Sequence, residues 1–315
     1  MSFSVITKEE LARLTDVKSC CEFTELAALV RMDGTLQISL QQKYTLNAVT
    51  ENATVARKIY RLAKSLLPCQ AEIVVRRKLQ LRKNNSYLVR IYVQNIEALQ
   101  RLGLLDDQMQ ILPGIAKNLI KYRCDQKAYL RGAFLAAGSI NSPEGTYHLE
   151  MITHGEYHAE ALCRLLNRFK LGAKVSLRKN KYVVYLKGSD HIVEFLGIVG
   201  AHHALLEFEN TRVVKDVRNQ VNRLVNCETA NLNKMVDAAL RQVENIRLLQ
   251  KTVGLQSLPP PLRELALLRL EYPDVSLKEL GAMLSSKVGK SGVNHRMRKI
   301  EELAEKWREH RAAKL

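Results

Sequence analysis

Two nine-residue stretches of small and apolar residues recur along the chain about one hundred positions apart. "LAALVRMDG" covers 26–34 and "LRGAFLAAG" covers 130–138. The similarity continues into helix-spaced apolar positions at 56–73 and 159–175, and into alternating positions at 86–93 and 181–187. This pattern predicts two repeats, each with a helix, a strand pair, a second helix, a second strand pair and a short closing helix.

The pattern changes in the last third of the chain. Helical periodicity rich in Asn and Arg predicts one or two helices, and "SLPPPL" at 257–262 interrupts it because three prolines cannot continue a helix. Beyond that point, Ser276 and Glu279 have the spacing of a capping box. After the turn "SSKVGK", Ser291 is expected to cap a third helix, whose apolar stripe is Val293, Met297, Ile300, Ala304 and Trp307.

These elements predict an α+β fold followed by an all-α domain. Two αββαββα repeats would form a saddle-shaped sheet domain, and a helical connector would lead to a helix-turn-helix. The predicted boundaries are an N-terminal lead-in at 1–20, a repeat domain at 21–205 (repeats at about 21–110 and 125–205), a connector at 206–256 and a helix-turn-helix domain at 257–315.

Charge narrows the class of partner. The 315 residues include 49 Lys and Arg against 32 Asp and Glu, a net charge of +17, which favours a polyanion, either nucleic acid or an anionic membrane. No apolar run reaches the roughly 18 residues of a membrane span. The N-terminus also lacks the pattern of a signal peptide. We therefore expect a cytoplasmic protein that binds double-stranded DNA and no membrane.

The six cysteines give no sign of a metal site in their spacing. No two of them form a CxxC pair. We expect reduced, mostly buried thiols, as in a cytosolic protein, with no metal and no cofactor.

The paired stretches resemble the motif of the LAGLIDADG homing endonucleases. In that fold the two motif helices pack closely, which the resemblance implies here for the small residues Ala27, Ala28, Gly132, Ala133, Ala136 and Ala137. Cleavage would need an acid from each motif to hold divalent cations. Asp33 occupies the first position, but Ala137 occupies the second, so the metal position is degenerate. We see no phosphate loop or nucleophile elbow, and we predict a protein that is not an enzyme and has no catalytic residues.

The last helices resemble the helix-turn-helix that ends bacterial sigma factors. The face of the final helix opposite the apolar stripe is basic, which suits the DNA major groove, and the turn lysines suit phosphates. The candidate DNA-binding residues are Ser276, Lys287, Lys290, Ser291, Asn294, His295, Arg296, Arg298 and Lys299. The alternative interpretation is a solvated helix in a protein-interaction module.

A second basic cluster lies at 73–92, with six Lys and Arg and no acids. Arg76, Arg77 and Lys78 are candidates for a secondary DNA contact. A solvated hairpin would explain the same cluster.

Three stretches in order resemble the WhiA family of DNA-binding regulators of Gram-positive bacteria. They are "CCEFTELAALVRMDGTLQ", "NRLVNCETANLNKMV" and "LPPPLRELALLRLEYPDVSLKELG...SSKVGKSGVNHRMRKIEELA". The resemblance implies a sequence-specific, nucleoid-associated transcriptional regulator acting in cell division and chromosome segregation, and in sporulation where it occurs. Another transcription or division protein is a candidate partner. The alternatives are a residual nuclease, or a protein-binding scaffold that contacts DNA only through its C-terminal domain.

Overall fold

The computed structural model describes residues 2–15, 18–39, 44–76 and 85–312. The chain divides into two compact units, Met1–Asp216 and Val217–Leu315. The first unit is mixed α/β and the second is helical, which confirms the predicted fold class.

Each predicted repeat is present in the first unit. The first repeat consists of α2 (Ser19–Asp33), β1 (Gly34–Ile38), β2 (Tyr44–Thr50), α3 (Ala53–Leu66), β3 (Cys69–Arg76), β4 (Ser86–Val93) and α4 (Ile96–Arg101). The second consists of α5 (Arg123–Ala137), β5 (Gly138–Ile140), β6 (His148–Thr153), α6 (Glu156–Asn167), β7 (Lys174–Arg178), β8 (Lys181–Lys187) and α7 (Ser189–Val199). Their antiparallel sheets have equivalent strand orders, β1-β2-β4-β3 and β5-β6-β8-β7.

The final glycine of each motif joins a helix directly to a strand. Gly34 and Gly138 both have extended backbone, with φ of -83° and -81°. A Cβ on Gly34 would overlap the carbonyl oxygen of Val30, and one on Gly138 would lie 2.6 Å from that of Phe134. Glycine is therefore needed here because the strand folds back against its own helix.

The motif helices α2 and α5 pack against each other at the centre of this unit. Ala27, Ala28 and Ala133 are fully buried between them. A Cβ on Gly132 would lie 2.5 Å from the carbonyl oxygen of Glu25. The small residues of the motif thus allow a close backbone approach, as expected.

A buried ionic network crosses this helix pair. Glu25 of α2 is fully buried, and its carboxylate lies 2.6 Å from Nζ of Lys58 and 3.0 Å from Nε of Arg131. Lys58 also donates to the carbonyl of Leu11, and Arg131 to that of Val199. The network therefore links α2, α3 and α5 to one another, to Leu11 of the N-terminal lead-in and to the end of α7.

Tyr129 and His158 form a second buried polar group. The Tyr129 hydroxyl and Nε2 of His158 are 2.9 Å apart, and the Thr153 hydroxyl lies 3.0 Å from Nδ1. Burial lowers the pKa of His158 to about 3. The imidazole is therefore neutral at physiological pH.

The N-terminal lead-in contains a helix that belongs to the first unit. This helix, α1 (Phe3–Arg13), buries Phe3 and Leu11 in the core. The carboxylate of Glu10 accepts hydrogen bonds from the backbone N–H groups of His203 and Ala204. Both N–H groups belong to the first turn of α8 (His202–Thr252). The α1 helix therefore stabilises the start of α8.

The predicted connector is one continuous helix, α8, which is largely exposed between 216 and 237. Its last turns bury Ile246 and Leu249 with α9 (Pro260–Glu271), α10 (Leu277–Met283) and α11 (Lys290–Ala312). The second core thus starts before the predicted boundary at 257. The triple proline separates α8 from α9 but does not mark the start of the compact unit.

The expectation of mostly buried thiols is wrong. Cys21 is buried, Cys69 and Cys163 are partly buried, and the other three, Cys20, Cys124 and Cys227, are exposed. All six are free thiols.

Candidate nucleic-acid interface

A pair of reciprocal hydrogen bonds stabilises the start of α10 in the C-terminal unit. The Ser276 hydroxyl accepts from the N–H of Glu279 at 3.4 Å, and the Glu279 carboxylate accepts from the N–H of Ser276 at 3.0 Å. This is the predicted capping box. It satisfies backbone donors that the first helical turn leaves free. Ser276 therefore has a structural role in addition to the proposed one at DNA.

Close packing positions the turn between α10 and α11. The Val288 N–H donates to the carbonyl of Gly281 at 3.0 Å. A Cβ on Gly281 would overlap the Val288 carbonyl and lie 2.9 Å from Cγ2 of Val293. The turn can rest on α10 only because position 281 has no side chain.

The apolar stripe of α11 faces the second core as predicted, except at its end. Val293, Met297, Ile300 and Ala304 are buried. Trp307 is 41% exposed, so the prediction for this residue is wrong. The buried core does not extend to the last turns of α11, because α9 and α10 are both shorter than this 23-residue helix.

Most of the predicted DNA-binding residues are accessible on the opposite side. Asn294 is half-buried at the flank of the helix, and the exposed residues are Lys287, Lys290, Ser291, His295, Arg298 and Lys299. The structure thus places these predicted residues together on α11 and on the turn that precedes it. Lys287, Lys290, Arg298 and Lys299 give this set its positive charge.

Two local predictions for the helix start are wrong. Lys290 was expected in the turn, but α11 begins at Lys290. Ser291 therefore lies within the first turn and is not the N-cap. Gly289 precedes the helix, and its carbonyl accepts from the N–H of Val293.

Arg296 differs from the other candidates. It is half-buried, and its Nη1 atom is shielded from solvent without a hydrogen-bond partner. Its charge acts on Glu264 of α9, whose carboxylate accepts 2.6 Å hydrogen bonds from the backbone and hydroxyl of Ser285. Together with those hydrogen bonds, Arg296 lowers the pKa of Glu264. Arg296 thus affects a contact at the base of the turn, and it is less exposed than His295, Arg298 and Lys299.

The repeat sheets display ion-paired residues on their exposed faces. In the first sheet, Arg90 is in register with Asn47 and Glu72 on the neighbouring strands, and Nη1 lies 2.8 Å from the Glu72 carboxylate. In the second sheet, Arg178 lies 3.6 Å from Glu150. These pairs reduce the positive charge that the sheets offer to phosphates.

Of the three candidates for a secondary DNA contact, the structure describes one. Arg76 is exposed at the end of β3, opposite Ser86. Arg77 and Lys78 lie outside the described residues.

The degenerate metal position lies where α2 and α5 end, at Asp33 and Ala137. Lys8 of α1 reaches this position, and its Nζ lies 3.5 Å from the carbonyl oxygen of Ala136. Burial lowers the pKa of Lys8 to about 8, against the opposing effect of Asp33. Partial burial raises the pKa of Asp33, while the charges of Lys8, His154 and Lys181 oppose that rise.

A pair of divalent cations does not fit this donor set. One carboxylate, a methyl group and an ammonium replace the two acids that such cations would need. Lys8 and Asp33 also line a cavity of about 930 Å³. Lys8 could not be predicted from the sequence, because its position in the lead-in carries no sign that it folds against the motif ends.

Comparison with known families covers both units. Residues 19–105 match the WhiA N-terminal LAGLIDADG-like domain, 126–218 the WhiA LAGLIDADG-like domain, and 221–304 the WhiA C-terminal HTH domain. The chain belongs to the WhiA family. The helix-turn-helix match starts within α8, in agreement with a second unit that begins at Val217.

Relatives in the WhiA family align over nearly the whole chain. A protein of Desulfitobacterium hafniense (strain DSM 10664 / DCB-2) is 70% identical over 98% of this chain and 97% of its own length. One of Desulforamulus reducens is 60% identical with the same coverage. Both are named "Probable cell division protein WhiA".

Solved structures of the WhiA family support the fold. Full-length WhiA from Thermatoga maritima is 26% identical, with a TM-score of 0.60 over 97% of this chain and 99% of that one. A separate N-terminal LAGLIDADG domain of WhiA, 23% identical, covers 63% of this chain and 90% of its own, with a TM-score of 0.50. In the described part of this chain, none of the helices combines the length and apolar content that crossing a membrane requires.

Proposed function

We propose that this chain is a sequence-specific DNA-binding protein that regulates transcription in cell division and chromosome segregation. The observation that carries the proposal is the exposed basic side of α11 and its turn, held on a capped and glycine-packed scaffold. The names of the relatives support the link to cell division. A cytoplasmic, nucleoid-associated location follows from this role, as does contact with another transcription or division protein.

Base reading is assigned to Arg298 in this proposal. Arg298→Ala in the full chain should weaken specific binding by about 1–3 kcal/mol if the guanidinium contacts a guanine. Arg247→Ala is the matched control, because it removes an exposed arginine from α8 in the same unit. Equal losses in the two variants, measured by fluorescence anisotropy on a target site, would contradict the assignment.

Phosphate contacts are assigned to Lys287 and Lys290. Replacing both by alanine should weaken binding to all sequences and reduce the slope of log K against log salt by about 2. An unchanged slope would place both lysines away from the phosphates. Genome-wide crosslinking with the wild-type chain then tests whether it occupies promoters, and binding without promoter enrichment would contradict the regulatory role.

The repeat unit is proposed as a second surface that contacts DNA or docks a partner. If it touches DNA, neutralising Arg76, Arg77 and Lys78 together should lower both the affinity and the salt slope of the full chain. The ion pairs on the sheets favour a modest effect. If the triple variant behaves as wild type, the scaffold alternative is favoured for this unit.

DNA cleavage is not part of the proposed function, because the ends of the motif helices do not supply two acids. The full chain should leave supercoiled plasmid intact with Mg²⁺ or Mn²⁺. Metal-dependent nicking that Asp33→Asn abolishes would overturn this and favour the residual nuclease.

A further inference from the structure

Three thiols and a carboxylate converge where the motif helices begin. Cys20 and Cys21 lie in the first turn of α2, and Cys124 and Asp125 lie in the first turn of α5. Their four donor atoms all lie within 4.8 Å of one another. Cys21 and Asp125 are buried, whereas Cys20 and Cys124 reach the surface.

The four residues occupy equivalent positions in the two repeats. Cys21 and Asp125 are 104 residues apart, and so are Cys20 and Cys124. Each helix therefore offers the second and third residues of its first turn to the other helix. The close approach of α2 and α5 brings the two pairs together, although the two segments are far apart in the sequence.

Three of the six donor–donor distances match those around a single tetrahedral ion, and the other pairs lie within 4.8 Å. Bonds of about 2.3 Å from zinc to sulfur place two ligand sulfurs about 3.8 Å apart, and a carboxylate oxygen slightly nearer. The Sγ atoms of Cys20 and Cys21 are 3.9 Å apart. Oδ1 of Asp125 lies 3.8 Å from Sγ of Cys21 and 3.6 Å from Sγ of Cys124.

The backbone at the two helix starts offers partial positive charge to these ligands. Neither α2 nor α5 has a side-chain cap on its first backbone N–H groups, so the positive end of each helix faces the cluster. An iron–sulfur cluster would need its ligands spread around a core of several atoms, and these donors leave room for one ion. Soft thiolates with one carboxylate in a tetrahedron select zinc among common divalent metals.

We propose that Cys20, Cys21, Cys124 and Asp125 bind one structural zinc ion that joins the first turns of the two motif helices. Four protein ligands close the coordination sphere, so the ion has no open position for catalysis. It ties the two repeats together at the end of the helix pair opposite Asp33 and Ala137. Zinc binding at this site does not depend on whether the chain binds DNA.

Metal analysis of the full-length, untagged protein tests the site. Mass spectrometry of the metal content should find about one zinc per chain, since structural zinc binds tightly. Cys21→Ser and Cys124→Ser should each lose most of it. Cys163→Ser is the matched control, because Cys163 is a partly buried thiol that donates to the carbonyl of Ala173 and is not one of the four clustered residues. Less than about 0.1 zinc per chain in protein from zinc-replete cells would overturn the proposal.

Cobalt substitution of the wild-type protein tests the site even if the cysteine variants do not fold. Wild-type protein exchanged with Co²⁺ should show the thiolate charge-transfer and tetrahedral bands of a sulfur-rich site. Asp125→Cys should strengthen the charge-transfer band, because it adds a fourth thiolate at the same position. Absence of these bands, or a Cys20–Cys124 disulfide in protein purified without reductant and with no bound zinc, would show that the thiols do not serve a metal.

Discussion

Gly281→Ala is the sharpest test of how the scaffold supports the proposed DNA interface. Gly281 is buried in α10, and its carbonyl accepts from the Val288 N–H of the turn. The new Cβ would overlap the Val288 carbonyl oxygen, which is backbone and cannot rotate away. The turn must therefore move outward, and Lys287 moves with it.

Two opposing effects set the magnitude. Alanine in a helix interior is favoured over glycine by about 1 kcal/mol. Overpacking of a tight contact costs about 1–3 kcal/mol, and contact with rigid backbone favours the upper part of that range. We expect a net loss of about 1–2 kcal/mol in the stability of the C-terminal unit, and at least about a tenfold loss of DNA affinity as phosphate contacts of the turn shift.

The single tryptophan of the chain makes the stability measurement specific. Trp307 lies in α11, so its fluorescence in urea reports the unfolding of this unit alone. Anisotropy on DNA gives the affinity of the same full-length protein. Gly289→Ala is the control, because nothing lies within 4 Å of its added Cβ, although a small loss of about 1 kcal/mol at the helix cap is allowed.

Comparison of the two glycine variants tests whether the turn rests on α10 and whether it contacts phosphates. If Gly281→Ala matches Gly289→Ala in both stability and affinity, the turn does not rest on α10 as described. If stability falls but affinity does not, the turn does not carry phosphate contacts.

Two further predictions concern the first unit. Glu25→Ala leaves the cations of Lys58 and Arg131 buried without a counter-charge and should lower the free energy of unfolding by about 3–5 kcal/mol in chemical denaturation; a loss below about 1 kcal/mol would mean that water reaches the network. His158 binds no proton in the folded state until about pH 3, whereas the unfolded chain binds one below about pH 6.5, so stability should fall as the pH drops through that window. This residue should contribute a loss of about 2 kcal/mol between pH 7 and pH 5. In His158→Gln that part of the slope should disappear, and an unchanged slope would show that the histidine titrates normally.

Internal repetition made most of the first unit predictable. The two motif stretches set a register that carried over to the helices and strands that follow, and the order of elements is confirmed. The small residues at Ala28 and Gly132 signalled a close helix pair, which the structure contains. The capping box at Ser276 is also confirmed, because it depends only on residues within one turn.

The features that the sequence analysis missed depend on pairs of residues far apart in the chain. Glu25, directly before the first motif stretch, gives no sign of the lysine and arginine that neutralise it. The spacing of cysteines within one segment carries no information on Cys21 and Cys124, which meet across two repeats. The N-cap of α11 was misplaced at Ser291 because a serine near a glycine fits either register of the first turn.

Lys8 bears on how readily the motif ends could regain nuclease activity. Restoring an acid at position 137 would place a carboxylate beside an ammonium already held near the Ala136 carbonyl. The new acid would pair with that lysine before it could attract a magnesium ion. Two changes in distant parts of the chain, one in α5 and one in α1, would thus have to occur together. Because α1 holds Lys8 at the motif ends, an acid at position 137 alone is not expected to create a metal site.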